Sequence, residues 1–455
     1  MKASVPRTWF LFFLSGLMAM LAACGGSYTA PKPTTSNPSA PSQAVVVGIT
    51  DGPGDRIVAF TVTINSIDLL TSTGTKVSLV STPTTVEVSH LAGTTLTLGH
   101  ATIPQGTYTQ AAISISNPSI TFIDPATGQT VKKNLPISSL SVTVNIQPPL
   151  VVGSTAMAET FDLNLFGSVS IDASGNVTFT PQFGERHQEV PDNDQNAFDG
   201  ELDHAVGTVK SVNGSSFTAV FNSSQTLTFT TNSSTQFEGV SGISGLTAGM
   251  LVVVEAKTQS DGTLLATEVK VVMANAANAQ EVDGLVTTVT GSPATQLAVV
   301  VQDEEGSMMT SSSIGGTVNV AVTSNTAFRI DTNGVSLSGL PFTPTFNAGT
   351  VHAGQRVEVH SSSGSANTLT AGEVDLEQQA VRGTVSAING NTFTLTVAPD
   401  SSLATTAKVT TVTVFRQPTT DMDGTTLANG ATIVVRGLLF FDNGSLKLVA
   451  THMGD

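Results

Sequence analysis

Along the folded part of the chain, apolar side chains recur at every second position in short runs. Ala44-Val-Val-Val-Gly-Ile-Thr50 is an unbroken apolar run stopped by Asp51-Gly-Pro-Gly-Asp55, the pattern of a buried strand closed by a turn. Phe60, Val62 and Ile64 alternate cleanly, and the phase slips before Ile67 and Leu69, which predicts a bulge. Ile103-Pro104-Gln105-Gly106-Thr107-Tyr108 reads as a turn opening another strand, because proline fixes φ and glycine frees it. Further strands are expected at 120–123, 141–146, 160–169 and 177–180. These place a β-sandwich over residues 44–183.

Beyond it the pattern repeats. Ala205-Val-Gly207-Thr-Val-Lys-Ser-Val-Asn-Gly214-Ser-Ser-Phe217 returns as Ala380-Val-Arg-Gly383-Thr-Val-Ser-Ala-Ile-Asn-Gly390-Asn-Thr-Phe393, with a weaker middle copy at Val282-Asp-Gly284-Leu-Val286. Each copy later has a glycine before alternating apolar residues: Gly249 before Met250 to Glu255, Gly354 before Gln355 to Val359, and Gly430 before Ala431 to Arg436. A repeat of this length implies one small domain per copy. The copies span 205–273, 282–377 and 380–453, and small closed barrels, OB-like or SH3-like, suit such short strands because closure removes exposed edges. The fold class is therefore all-β. The middle copy carries the longest insertions, around 302–316 and 331–348, where a loop-borne binding site or plain loop drift would fall.

Composition agrees. At 455 residues the chain is too long for one ordinary domain, and only 11% of its residues are charged. The balance is rich in Thr, Ser, Gly and Asn, which favours strands and turns. The net charge of −16 sets the protein against a phosphate backbone, so no nucleic-acid partner is expected. Trp9, Tyr28 and Tyr108 are the whole supply of Trp and Tyr, too few for an aromatic sugar platform.

The N-terminus reads as an address. Lys2 and Arg7 precede an almost unbroken apolar stretch from Trp9 to Leu21, right for a signal peptide and too short for a permanent span. Leu21-Ala22-Ala23-Cys24-Gly25 follows and resembles the bacterial lipobox. That resemblance implies cleavage after residue 23, a lipid on Cys24, the only cysteine, and a place in the cell envelope; Gly25 after the cysteine fits passage to the outer membrane. Residues 24–43, rich in Pro, Ser and Thr, form the expected tether. The first folded block, with its Asp51-x-Pro53 turn, Ile67-Asp-Leu69 strand and Ile-Pro-x-Gly-x-Tyr turn, resembles an uncharacterised domain found near the start of bacterial lipoproteins. The three copies resemble an uncharacterised repeat domain of bacterial exported proteins. Neither resemblance brings an activity.

Candidate chemistry is sparse. Residues 184–204 form an acidic stretch expected to be a linker. Within it Asp192, Asp194, Asn196 and Asp203 hold positions 1, 3, 5 and 12 of a calcium-loop-like spacing, although Ala197 replaces the turn glycine and position 12 is Asp rather than Glu. Glu185-x-His187 and Asp203-His204 are the alternative, a transition-metal set. Asp303-Glu304-Glu305 is expected to face water, and His90, His100, His352, His360 and His452 to stand alone on surfaces or strand faces. Neither a nucleophile elbow nor a phosphate loop occurs. The expectation is a non-enzymatic envelope protein anchored to the membrane through Cys24, with a surface ligand or protein partner and no cofactor beyond calcium. A calcium-stabilised adhesion or glycan-binding protein and a hydrolase with a dispersed site are the alternatives.

Overall fold

The computed structural model describes residues 41–454, apart from 52–55, 92–94, 125, 173, 191–200, 222–224, 274–279, 307–313, 333–334, 366 and 423–425, and gives backbone alone at 201, 203, 204, 225, 273, 305 and 306. Cys24 and the rest of the lipobox, Leu21, Ala22 and Ala23, lie outside these residues, as does the tether up to residue 40.

The first block contributes β1 (Ser42–Thr50), β2 (Ile57–Thr71), β3 (Lys76–Val80), β4 (Thr84–Glu87), β5 (Leu96–Pro104), β6 (Gly106–Ile123), β7 (Thr130–Asn134), β8 (Leu140–Val152), β9 (Ala156–Leu163), β10 (Val169–Ile171), β11 (Val177–Phe179) and β12 (Phe183–Val190). One sheet has the order β12-β9-β1-β5, with β1 and β9 parallel. The other is built on the long strands β2 and β6, which pair with each other; β2 also takes the short β4 and β3, and β6 takes the long β8 near its start and the short β7 near its end. Val45, Val47 and Ile49 from the first sheet meet Phe60, Val62, Ile64, Ile113 and Ile115 from the second, so the block is a sandwich with one core. The β2 register slips between Ile64 and Ser66, where the hydrophobic phase changes. Tyr108 is buried and its hydroxyl donates to the Pro104 carbonyl at 2.8 Å, tying the strand back to its turn.

Two stretches differ from the sequence reading. The strand expected over 160–169 ends at Leu163, and a single helical turn, α1 (Leu165–Ser168), follows. Asn164 caps it by accepting from the Gly167 amide at 2.7 Å, and Asp51 takes the Leu165 amide at 2.9 Å. The acidic stretch 184–204 is not uniform either. Its beginning is β12, hydrogen-bonded along β9, and its end opens the first barrel. Alternate charged residues mimic a solvated linker, but Phe183 packs on the sandwich core and holds the strand in place.

The first repeat supplies β13 (Glu201–Asn213), β14 (Ser216–Phe221), β15 (Gln225–Thr230), β16 (Gln236–Glu238), β17 (Leu251–Thr258) and β18 (Leu264–Met273). The second supplies β19 (Gln280–Gly291), β20 (Ala294–Gly306), β21 (Thr317–Ala321), β22 (Ala327–Ile330), β23 (Arg356–Ser365) and β24 (Thr368–Leu376). The third supplies β25 (Gln378–Asn389), β26 (Thr392–Thr396), the short helix α2 (Ser402–Ala407), β27 (Thr411–Asp421), β28 (Thr432–Asp442) and β29 (Ser445–Gly454). In each, leaving aside the short β16 and β22, which pair beside the last strand, five strands close in the ring order first-second-third-fifth-fourth-first, with the third and fifth parallel. That parallel closure selects the OB-like of the two barrel types.

The repeated glycines explain how the rings close. At Gly207, Gly284 and Gly383 a Cβ would lie 2.7 Å from the Phe221 ring, 2.1 Å from the Val300 carbonyl and 2.6 Å from the Thr396 carbonyl. The first strand therefore crosses the second too closely for any side chain. Gly249, Gly354 and Gly430 have φ of +91°, +93° and +88°. Their amides donate to the carbonyls of Val209, Val286 and Val385 at 2.8, 2.7 and 2.8 Å, fastening the approach to the fourth strand onto the first. A third device was not read from sequence: Thr235, Thr326 and Thr420 each donate a hydroxyl to the fifth strand, at Ala266, Ala371 and Ala450.

The sandwich touches all three barrels. Gln43 donates to the Ser260 carbonyl of the first at 3.2 Å, and Gln302 of the second donates to the Val58 carbonyl at 2.7 Å. Arg382 of the third lies 3.9 Å over the Phe166 ring. The insertion beginning at 331 is no free loop. Leu337, Leu340, Phe342 and Phe346 pack on the second barrel's core, and Phe342 also meets Phe415 and Phe440 of the third at 5.3 and 5.9 Å.

Two outcomes follow from this packing. Gly284→Ala should lower stability by about 1–3 kcal/mol in urea titration, whereas Gly99→Ala, which meets open space, should stay within about 0.5 kcal/mol of the parent. His100 is half-buried where β5 meets the Gly262 turn of the first barrel; loss of solvation brings its pKa down to about 4, although a hydrogen bond with the Gly262 backbone acts the other way. Its unfolded form takes a proton near pH 6.5 and its folded form only near 4, so stability present above 6.5 is lost as pH falls between them. The loss should approach about 3 kcal/mol, and His100→Gln should flatten that acid limb in urea titrations at pH 7 and 4.5.

Candidate functional site

Alternation along a barrel strand sends every second side chain outward, usually to water. On the second barrel the outward positions of three adjoining strands are filled with ionisable groups. β19 offers Glu281 and Asp283, β23 offers Arg356, Glu358 and His360, and β24 offers Glu373 and Asp375. The register sets them in rows: Glu281 opposite His360 opposite Glu373, and Asp283 opposite Glu358 opposite Asp375. Glu281, Glu358, His360 and Asp375 are all buried.

His360 lies between carboxylates on both sides. Its Nδ1 is 3.5 Å from Glu281 Oε2, and its Nε2 is 3.4 Å from Glu358 Oε2 and 3.3 Å from Asp375 Oδ2. Burial opposes the imidazolium charge, but Glu358 and Asp375 more than offset it, and the pKa is pushed up to about 9. Burial also raises Glu281 well above the usual carboxylate range, reinforced by Glu358 beside it. Beside this cluster a cleft of about 320 Å³ separates the first and second barrels. Glu238, Glu255, Glu268 and Lys270 line it from one side, and Arg329, Asp331, Glu358 and Asp375 from the other. Lys270 loses solvation there, yet Glu358, Asp375 and Asp331 hold its pKa above the ordinary lysine value.

A second polar seam joins the sandwich to the second and third barrels. Arg356 pairs through both Nε and Nη2 with the Asp283 carboxylate, the Nε contact at 2.8 Å. Its backbone amide donates to Gln379 Oε1 at 2.8 Å and its Nη1 to the Gln378 carbonyl at 3.2 Å. Nearby, Glu87 is buried and accepts from the Phe60 amide at 2.5 Å, with His90 Nδ1 2.5 Å from its other oxygen. A cavity of about 80 Å³ lined by His90, Gln302, Arg356 and Gln379 lies at this junction, room for only a few waters.

The sequence-derived candidates fare unevenly. Asp192, Asp194 and Asn196 lie outside the described residues, and of Asp203 only the backbone, in β13, is described. Glu185 and His187 are brought together, Nδ1 to Oε1 at 2.5 Å, and β9 adds the fully buried Glu159, raised well above the usual range by burial and by Glu185. Asp303 does not face open water. It sits in β20 opposite Asp283, and burial raises its pKa. Nor do the histidines stand alone: His90 and His360 lie against carboxylates, His452 Nδ1 is 3.0 Å from Asp421, and the His352 ring stacks on Phe441 at 4.0 Å. The signal that could have found His360 is the concentration of charge at outward positions of three strands, visible only once repeat alignment shows that those strands adjoin.

Chemically, the His360 cluster can store protons or hold a cation. Glu281, Glu358 and His360 each place a donor atom within 4.8 Å of the others, and so do His360, Glu373 and Asp375, and Glu159, Glu185 and His187.

Comparison with known proteins bears on the domains rather than the chemistry. The model of the family called Domain of unknown function (DUF5666) matches residues 206–270, 283–375 and 382–453, one match per barrel and half of the chain in all. Domain of unknown function (DUF4382) matches residues 43–214, the sandwich and the opening of the first barrel. No curated protein matches the chain. A crystallised multidomain protein with nucleic acid binding domains from Streptococcus pneumoniae is 13% identical over 55% of this chain and 72% of its own. Its TM-score of 0.11 is too low to relate the two architectures. The chain belongs to the DUF5666 family, with three copies of that domain behind one DUF4382 domain.

Proposed function

We propose that the protein is a lipid-anchored, non-enzymatic envelope component that presents its barrels to a partner as a fixed platform. The observation that carries this reading is the packing of the sandwich against every barrel. Its seams are directional: Thr121, buried, donates to the Gly315 carbonyl at 2.7 Å, exposed Lys132 donates to the Ile314 carbonyl at 2.6 Å, and buried Val58, Ala59 and Ile123 meet Leu285 and Val300. Domains joined in this way hold a fixed orientation, whereas beads on a string would not. Anchorage through Cys24 is supported by the lipobox and the tether behind it. The surplus of acidic residues favours a neutral or cationic partner over a nucleic acid.

Two measurements test the two halves of this proposal. In bacteria expressing the protein, radioactive palmitate should label the parent and not Cys24→Ser; labelling that persists in the variant would remove the anchor. Calorimetry of the parent should show one cooperative unfolding transition for sandwich and barrels together. Well-separated transitions, one per domain, would remove the platform.

A further inference from the structure

The molecule contains two kinds of histidine–carboxylate contact, and the difference between them is informative. His90 with Glu87 and His187 with Glu185 at 2.5 Å, and His452 with Asp421 at 3.0 Å, are direct hydrogen bonds. Around His360 the three carboxylate oxygens stand back at 3.3–3.5 Å. Neither ring nitrogen makes a hydrogen bond, and neither do Glu281 Oε2 and Asp375 Oδ1. The His360 side chain is only 6% exposed and that of Glu281 only 4%. Orphaned polar atoms at that depth are costly unless something outside the chain satisfies them.

The spacing says what that would be. His360, Glu281 and Glu358 each place a donor atom within 4.8 Å of the others, a set wide enough to close on one ion, around which donors at about 2.1 Å lie roughly 3.4 Å apart, whereas direct hydrogen bonds would draw them to about 2.8 Å. The charge agrees, since four carboxyl groups surround one imidazole. The donor set, an imidazole with carboxylates, suits a first-row divalent ion rather than calcium, which takes oxygen alone. A route in exists as well, because Glu358 and Asp375 form part of the wall of the cleft between the barrels.

We propose that His360, Glu281 and Glu358 bind one divalent transition-metal ion of the zinc class on the outer wall of the second barrel. Asp375, 3.3 Å from Nε2, orients the imidazole by taking the proton of that nitrogen, which leaves Nδ1, on the Glu281 side, to ligate, the usual arrangement behind a metal-bound histidine. The Glu159–Glu185–His187 group is not such a site, since its histidine and carboxylate already hydrogen-bond to each other at 2.5 Å.

The test uses the untagged full chain in detergent, stripped by chelator, reloaded with Zn²⁺ and desalted. Elemental analysis should find one zinc per chain, and zinc should raise the thermal unfolding midpoint. His360→Gln and Glu358→Gln should each weaken zinc binding at least tenfold, and His187→Gln should leave it unchanged. X-ray absorption of the loaded parent, which needs no variant to fold, should show one imidazole and otherwise oxygen around the ion. No retained zinc, zinc retained undiminished in His360→Gln, loss in His187→Gln, or a shell with no imidazole or with several would each overturn the site.

Discussion

Everything beyond the single domains depends on the burial of Arg356. A guanidinium withdrawn from water costs several kcal/mol unless its charge and its donors are both met. Asp283 meets the charge from the neighbouring strand, and the Gln378 carbonyl takes a further donor from the chain that leaves the second barrel for the third. Burial works against the charged form, but Asp283 outweighs it and the pKa stays above the ordinary arginine value. The same side chain lines the small cavity shared with His90 and Gln302, so one ion pair adjoins the sandwich and two barrels at once. An apolar residue there could fill the space but could not fix the angle between the domains.

The seams as a whole follow that logic. Barrel walls that would ordinarily meet water carry Glu, Asp, His and Arg and then meet another domain. Hydrogen bonds and ion pairs tolerate little misalignment, so they specify how domains meet more strictly than apolar contact does. Apolar packing supplies the adhesion in between, as where Phe342 lies among Phe415, Phe440 and the Lys447 ammonium.

How much of this the sequence showed depends on the distance between the partners. Alternation placed β1, β2, β8 and β11, and the phase slip near Ile67 marked a real bulge, because those signals are local. The repeat glycines were visible as a pattern, and the structure supplies the reason, a crossing too close for a Cβ. The His360 cluster was hidden. Val357-Glu358-Val359-His360 has the alternation of any half-solvated strand, and Glu281 and Asp375 lie far from it in the chain. β12 was hidden for the opposite reason: Glu185, His187 and Glu189 look solvated, yet Glu185 and His187 turn toward the buried Glu159.

The insertion after β22 has a consequence for how such a chain can change over time. By topology the three barrels are interchangeable, with the same ring, the same crossing glycine and the same threonine clasp. In place they are not. The middle copy alone carries the segment whose Phe342 is received by the third, and Gln355 beside it donates to the Leu439 carbonyl of that same neighbour at 2.8 Å. Shuffling the copies would leave Phe342 without a socket and Leu438 and Phe440 bare. What began as repetition has become syntax, in which each unit is defined by the one that follows it.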